Sequence, residues 1–324
     1  MSYKVNALYS GAGIIVTYKC TAACLHCCYS SSPQRDGAYI SRETADKIFA
    51  LLNKTGCRSV HIGGGEPFIN FNGLLETCKS AYDNNVAIDY IETNASWFTD
   101  EASVSQKLKE LRAAGVDCLL ISVDPFHNEF IPYAKIKSLL KCCEKNSFGT
   151  FVWQSKFERV VRRLDENKSH ALCEYKEKFG ADFIKNIADA YGLGYNGRAL
   201  RIIADNPKHD ADYFLNDRCA SNLRSLHHYH VDLNGDFIPP GCIGFKVNIF
   251  DLCGAGLDEE KYANYLSAAD GGLSGLYERA RTLGFKPDPD GYASKCGLCF
   301  DIKKYILEKY APCDIGPAGF FEES

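Results

Sequence analysis

An α/β fold with a parallel sheet covered by helices is what this sequence predicts, and three observations carry the prediction. Short β-branched runs alternate with segments of helical period through the first two hundred residues, as βα units do. Composition changes near residue 205, where turn residues begin to dominate. The 324 residues are 46% hydrophobic and 24% charged, ordinary globular values for one large or two modest domains.

The elements follow in order. GIIVTY (13–18) reads as a strand, and Ser41 caps a helix through ETADKIFALLNK whose Ala45, Ile48, Phe49 and Leu52 share one face. SVHI (59–62) is the next strand, followed by a helix around GLLETCKSAYDN. AIDYIET (87–93) is a strand, SVSQKLKELRAAG (103–115) a helix and DCLLISVD (117–124) a strand. KIKSLLKCCEKN (135–146), FGTFVW (148–153), a charged stretch at 155–168 and the helix-like CEYKEKFGADFIKNIADAYG (173–192) extend the pattern. About six strands fit before residue 205, too few for a closed eight-stranded barrel.

From Asp205 the chain is irregular, with NPKHDAD, LNGD, PPGC, CGAG, GGLSG and KPDPDG. DGGLSGLYERARTLG and DIKKYILEKY each suggest a helix there. The expected domains are 1–205 and 206–324, the second small enough to use metal in place of a large core. There is no convincing internal repeat.

Sixteen cysteines are spread along the chain, too long to need disulfide staples. No basic segment leads into a sustained apolar one at MSYKVNALYSGAG, and no apolar run approaches a membrane span. The expected compartment is the reducing cytoplasm, where thiols point to metal binding or catalysis. Lys and Arg total 37 against 41 Asp and Glu, a net −4 that disfavours a broad nucleic-acid footprint.

The strongest local signal is YKCTAACLHCCYSSSP, which places Cys20, Cys24 and Cys27 at C-x3-C-x2-C directly after the first strand. Three thiolates hold three irons of a [4Fe–4S] cluster and leave the fourth iron open to a small chelating molecule. Structural zinc would want a fourth ligand, for which only the adjacent His26 or Cys28 is at hand. GGGEP (63–67) follows the second strand: Gly64 and Gly65 permit close backbone approach, and Glu66 offers an acceptor to an ammonium group. The plainer reading is a glycine turn. ISVD ends the fourth strand, where Ser122 and Asp124 suit ribose hydroxyls. Arg198 in GYNGRAL is either a carboxylate partner or a surface arginine beside a turn.

CTAACLHC resembles the cluster motif of the radical S-adenosylmethionine (SAM) superfamily, with His26 where an aromatic residue is usual. That resemblance implies a partial (β/α)6 TIM-like barrel followed by a small irregular α+β iron–sulfur domain. It implies SAM as cofactor, a [4Fe–4S] cluster with an open iron site, and a hydrogen-abstracting 5′-deoxyadenosyl radical. It also implies that GGGEP binds the methionine ammonium, and that Thr93 and Asn94 of ETNAS (92–96) form a polar strand end near the cofactor.

A second cysteine set lies downstream: Cys219, Cys242, Cys296, Cys299 and Cys313. A [4Fe–4S] site needs at most four. Cys219, Cys242, Cys296 and Cys299 are the preferred set; the last three plus one upstream cysteine are nearly as good. The first arrangement resembles the auxiliary-cluster (SPASM or twitch-like) region of radical enzymes that mature ribosomal peptides, although six residues separate Gly235 from Cys242. The second resembles the cyclase that makes the molybdenum-cofactor precursor from GTP, but this chain ends GFFEES rather than in two glycines. One auxiliary [4Fe–4S] cluster is the economical count. A structural zinc remains the plain alternative, and disulfides fit less well. The histidines of HHYH invite a metal reading, yet VDLNGDFI beside them reads as an Asn-Gly hairpin that they simply enter. Cys57, Cys78, Cys118, Cys142, Cys143 and Cys173 read as inert buried thiols; Cys28 and Cys253 stay open.

CCYSSSP is similar to the same region of radical peptide epimerases, which convert L-residues to D-residues. The function expected first is therefore Cα hydrogen abstraction and inversion in a ribosomally synthesised precursor peptide. A cysteine outside the cluster, Cys219 or Cys313, would return hydrogen to the opposite face. Thioether or carbon–carbon crosslinking comes next, then a radical step in nucleotide or cofactor biosynthesis, then a non-catalytic iron–sulfur protein. The implied partners are the peptide and a cellular electron donor such as flavodoxin or ferredoxin, with neither nucleic acid nor membrane. Residues 1–12 are too short for a leader-binding domain.

Overall fold

The computed structural model describes residues 3–216 and 219–322. Strand β1 (Ala12–Ile15) is fully buried and shorter than its apolar run. Helix α1 (Arg42–Thr55) starts where the Ser41 hydroxyl accepts the Thr44 amide at 3.0 Å, and Gly56 ends it with φ of 100°. Its buried residues are the expected Ala45, Ile48, Phe49 and Leu52. Burial of each large one contributes roughly 1.5–3 kcal/mol. Then come β2 (Ser59–Gly63), α2 (Phe71–Asp83), β3 (Ala87–Thr93), α3 (Glu101–Ala113) and β4 (Cys118–Ser122). A single turn, α4 (Pro125–Asn128), precedes α5 (Tyr133–Lys145) and β5 (Gly149–Trp153).

Among the described residues, five strands, not six, precede residue 205. The stretch after β5 is helical instead, with α6 (Glu158–Val161), α7 (Leu172–Phe179) and α8 (Phe183–Tyr191). The single helix expected at 173–192 breaks in two at Gly180, whose φ of 108° and ψ of 155° no helix accommodates. The sixth parallel partner comes from further along the chain. After the short α9 (Ala220–Leu223), β6 (His230–Asp232) lies parallel to β1 on its free edge. The Asn-Gly turn then returns the chain as β7 (Asp236–Ile238), antiparallel to β6, and β8 (Val247–Asn248) follows. One sheet results, in the order β5-β4-β3-β2-β1-β6-β7-β8.

The remaining helices are α10 (Ile249–Cys253), α11 (Ala263–Thr282), kinked at Gly272, and α12 (Lys295–Tyr310). Helix α12 begins earlier than DIKKYILEKY suggested, because the Ser294 hydroxyl caps the Gly297 amide at 3.1 Å; Cys296 and Cys299 therefore ride on its first turns. Among the described residues no helix is long and apolar enough to cross a membrane.

Candidate active site and cluster pockets

The loops that leave the carboxyl ends of β1 to β4 gather on one side of the sheet, the side on which α/β folds collect ligands. The close approach of two of these loops fixes the site. The Gly65 amide donates to the Thr17 carbonyl at 2.8 Å, and the Glu66 amide to the Lys19 carbonyl at 3.0 Å. A Cβ on Gly64 would stand 2.5 Å from the Thr17 carbonyl oxygen, and one on Gly65 would collide with the Lys19 carbonyl. These glycines bring Glu66 beside the cysteine loop. Their necessity is backbone packing as well as ligand access.

A cavity of about 310 Å³ opens above this junction. Cys20, Cys24 and Cys27 line it, together with Gly64, Gly65, Thr93, Asn94 and Ser122. Glu66 is completely buried beneath. Its carboxylate accepts the Asn94 amide at 2.8 Å, the Phe68 amide at 3.2 Å and the Thr93 hydroxyl at 3.0 Å. Burial nevertheless pushes its carboxyl up to about 7, against the pull of those donors. The Asn94 side-chain amide reaches the Cys20 sulfur at 3.5 Å, so the strand end of β3 touches the cysteine loop directly.

Burial pushes the Cys20 thiol up to about 12 and Cys24 well above its ordinary value. Metal binding here must therefore displace protons. Three soft sulfurs on one cavity wall fit three iron positions, and the buried carboxylate next to them fits a cationic ligand group. Among the described residues, the groups whose donor atoms all lie within 4.8 Å of one another are Cys24–His26–His127 and His61–His228–His230. Neither cysteine set forms such a group. Thiolates around one zinc at about 2.3 Å would sit within about 3.8 Å of each other.

Two expected contacts lie elsewhere. Asp124 is buried at the start of α4 with Oδ1 accepting the His127 amide at 2.9 Å and Oδ2 2.7 Å from His127 Nδ1. Burial opposes its charge, but His127 and His26 together hold it well below the usual carboxylate range. It is committed to His127, and His127 is the residue that lines the cavity. Arg198 is 6% exposed, no surface arginine: it donates to the Cys24 carbonyl at 2.9 Å and the Ser31 carbonyl at 3.0 Å. It ties Cys24 to Ser31 within the cysteine loop.

Sequence reasoning missed Glu92, His127, Tyr90, Trp153 and Tyr191, all on the cavity wall. Glu92 was legible as the first residue of the strand-end ETNAS, and its carboxyl is pushed up to about 7 by burial. His26 stacks on Phe126 at 4.7 Å between ring centroids, the packing role expected of an aromatic residue at that position. Burial lowers it to about 4, so it is neutral.

The second set converges as well. Cys219, Cys242, Cys296 and Cys299 line one smaller cavity of about 70 Å³. Burial and the neighbouring thiols push Cys242 up to about 12 and Cys296 to about 11. Cys313 is not with them; it is exposed, donates to the Lys261 carbonyl at 3.2 Å and lines a separate surface depression. The arrangement built on the last three cysteines is thus not the one the fold assembles. The segment 193–196 divides the two interior cavities, with Leu193 and Gly194 on the first and Asn196 on the second. Of the six thiols read as inert, Cys57, Cys78, Cys142 and Cys143 are buried, Cys118 is half-buried and Cys173 is exposed.

At the carboxyl ends of the parallel strands, three thiols thus line one cavity beside a buried carboxylate, a donor set that suits an iron–sulfur cluster and a cationic ligand. Residues 14–167 match the radical SAM superfamily, so the chain carries a radical SAM domain. It is 25% identical over 127 residues to the putative peptide biosynthesis protein YydG of Bacillus subtilis, covering 39% of this chain and 40% of that one. It is 31% identical over 100 residues to the uncharacterized protein MJ0907 of Methanocaldococcus jannaschii, covering 30% and 33%. The matched segments therefore span less than half the length of either curated relative. The solved structure of native anSMEcpe with bound AdoMet covers 93% of this chain and 97% of its own, at 14% identity and a TM-score of 0.44.

Proposed function

We propose that this enzyme abstracts a Cα hydrogen from a ribosomally synthesised precursor peptide and inverts that residue from L to D. The observation that carries the reading is the pairing of two cavities across segment 193–196: an open three-cysteine site with Glu66, and a second thiol pocket behind it. The likeness to a protein named for peptide biosynthesis supports the choice of substrate. Residues 1–205 supply the radical SAM site and residues 206–324 the second cluster.

When bound, the [4Fe–4S] cluster on Cys20, Cys24 and Cys27 and its SAM supply a hydrogen-abstracting radical. The chain does the rest. Glu66 takes the methionine ammonium; Thr93 and Asn94 fix that carboxylate; Ser122 faces the remainder of the cofactor from its strand end. Asp124 acts by holding His127. Cys242, Cys296 and Cys299 hold an auxiliary [4Fe–4S] cluster, and flavodoxin or ferredoxin delivers electrons.

Inversion needs a hydrogen atom from the face opposite the abstraction. Cys28 lines the first cavity but belongs to the loop that carries the cluster ligands, the wrong side. Cys219 lines the pocket across segment 193–196, and its S–H is the donor in this reading. Cys219 loses one hydrogen atom to the peptide, and one electron and one proton restore the thiol.

Turnover of a precursor peptide in deuterated water tests this by mass spectrometry. The expected product gains a single dalton at one residue, which hydrolyses to a D-amino acid; a loss of two daltons contradicts inversion and indicates a crosslink. The Cys219→Ala enzyme is expected to keep its full iron content and 5′-deoxyadenosine formation while the D-residue disappears. Loss of about half its iron would instead make Cys219 a cluster ligand.

A further inference from the structure

A third group of side chains serves neither cysteine set. His61 of β2 and His230 of β6 both register against Gly13 of β1, one from each side. In-register residues of parallel strands project from the same face. Gly13 has no side chain, so the two imidazoles lean toward each other across it. A Cβ there would stand 2.7 Å from His61 Nε2 and would collide with the His230 ring. His228 closes the group from the approach to β6. The three ring centroids stand 5.3 Å apart in every pair, and one ring nitrogen from each lies within 4.8 Å of the others.

His61 is 2% exposed, and its Nε2 has no hydrogen-bond partner. Leaving such an atom unsatisfied is unfavourable, and a ligand would remove that cost. The unpartnered nitrogen and His230 Nε2 both stand within 2.7 Å of where a Gly13 Cβ would lie. Glu92 Oε1 lies 3.6 Å from His61 Nε2. The sequence hid this arrangement, since HHYH read as residues entering a hairpin and His61 as one residue of a buried strand.

We propose that His61, His228 and His230 bind a divalent transition metal of the zinc type, with Glu92 as the oxygen ligand. Imidazole nitrogens suit such ions, and three histidines with one carboxylate make a four-coordinate shell. Nitrogens held at about 2.0–2.1 Å from a tetrahedral ion lie roughly 3.4 Å apart, a small side-chain adjustment from the distances here. His228 and Glu92 also line the cofactor cavity. The ion would place positive charge on the wall that a substrate faces, where a carbonyl or carboxylate oxygen would be attracted. The site is built from nitrogen and oxygen donors, so it is chemically distinct from both thiol sets.

The test is zinc binding by the enzyme with both clusters loaded, followed by desalting and zinc K-edge absorption. One zinc per chain is expected, with a first shell of nitrogen and oxygen at about 2.0–2.1 Å. His61→Ala should abolish retention without changing iron content. His228→Ala, at an exposed position, should do the same if the buried substitution disturbs folding. No retained zinc, a sulfur shell at about 2.3 Å, or undiminished zinc in the folded histidine variants would overturn the proposal. The readout does not depend on peptide inversion.

Discussion

Cys24→Ala is expected to leave no detectable 5′-deoxyadenosine formation and to lower iron to about half the wild-type content, measured after anaerobic reconstitution. Cys24 is buried, lines the cavity and is one of three sulfurs available to the open cluster site. The backbone around it stays anchored, because Arg198 holds the Cys24 carbonyl and not the thiol. The substitution therefore removes a ligand without releasing the loop. The second thiol set lies in a separate cavity, so its iron remains. A Cys24→Ala protein that still cleaves SAM would place the open cluster elsewhere.

Glu66→Gln is expected to weaken SAM binding by about 10- to 150-fold, the equivalent of one charge-assisted hydrogen bond of 1.5–3 kcal/mol. The new side chain keeps the shape and one acceptor, but loses the negative charge. Its amide has one oxygen, so it cannot accept from both the Phe68 amide, which meets Oε1, and the Asn94 amide, which meets Oε2. Titration gives this prediction a second arm. Burial raises Glu66 from an ordinary 4.5 to about 7, so below pH 7 the folded chain presents a neutral acid to an ammonium group. Wild-type affinity should rise as pH climbs through 6 to 7 and then level off, by calorimetry or equilibrium dialysis. The Gln variant should lack that step. In the cofactor-free chain the sign for stability is the reverse: the contribution is full below about 4.5 and is lost as pH rises through about 7. The cofactor ammonium is what makes the charged form favourable.

Local patterns were legible wherever one element decided them. Ser41, the four buried positions of α1, the Asn-Gly hairpin and the C-x3-C-x2-C spacing all depend on residues within a few positions of each other. The two cysteine sets could be read because ligand spacing is partly local. Tertiary pairing was not legible. Nothing in HVD says that it will take the free edge of β1 in place of a strand before residue 205, since a three-residue strand has no period to show. The same hidden pairing brings His230 beside His61. Asp124 illustrates a different limit: its position at a strand end was right for the site, but helix capping and the His127 ring three residues on absorb both oxygens. Arg198 was recognisable as a cation near a turn, while its target, two backbone carbonyls of the cysteine loop, exists only in the folded chain.

The most direct test of the central claim is the product of SAM cleavage. The anaerobically reconstituted and reduced protein, incubated with SAM and analysed by liquid chromatography, is predicted to yield 5′-deoxyadenosine and methionine in equal amounts. Absence of 5′-deoxyadenosine from protein with both clusters loaded would contradict the account.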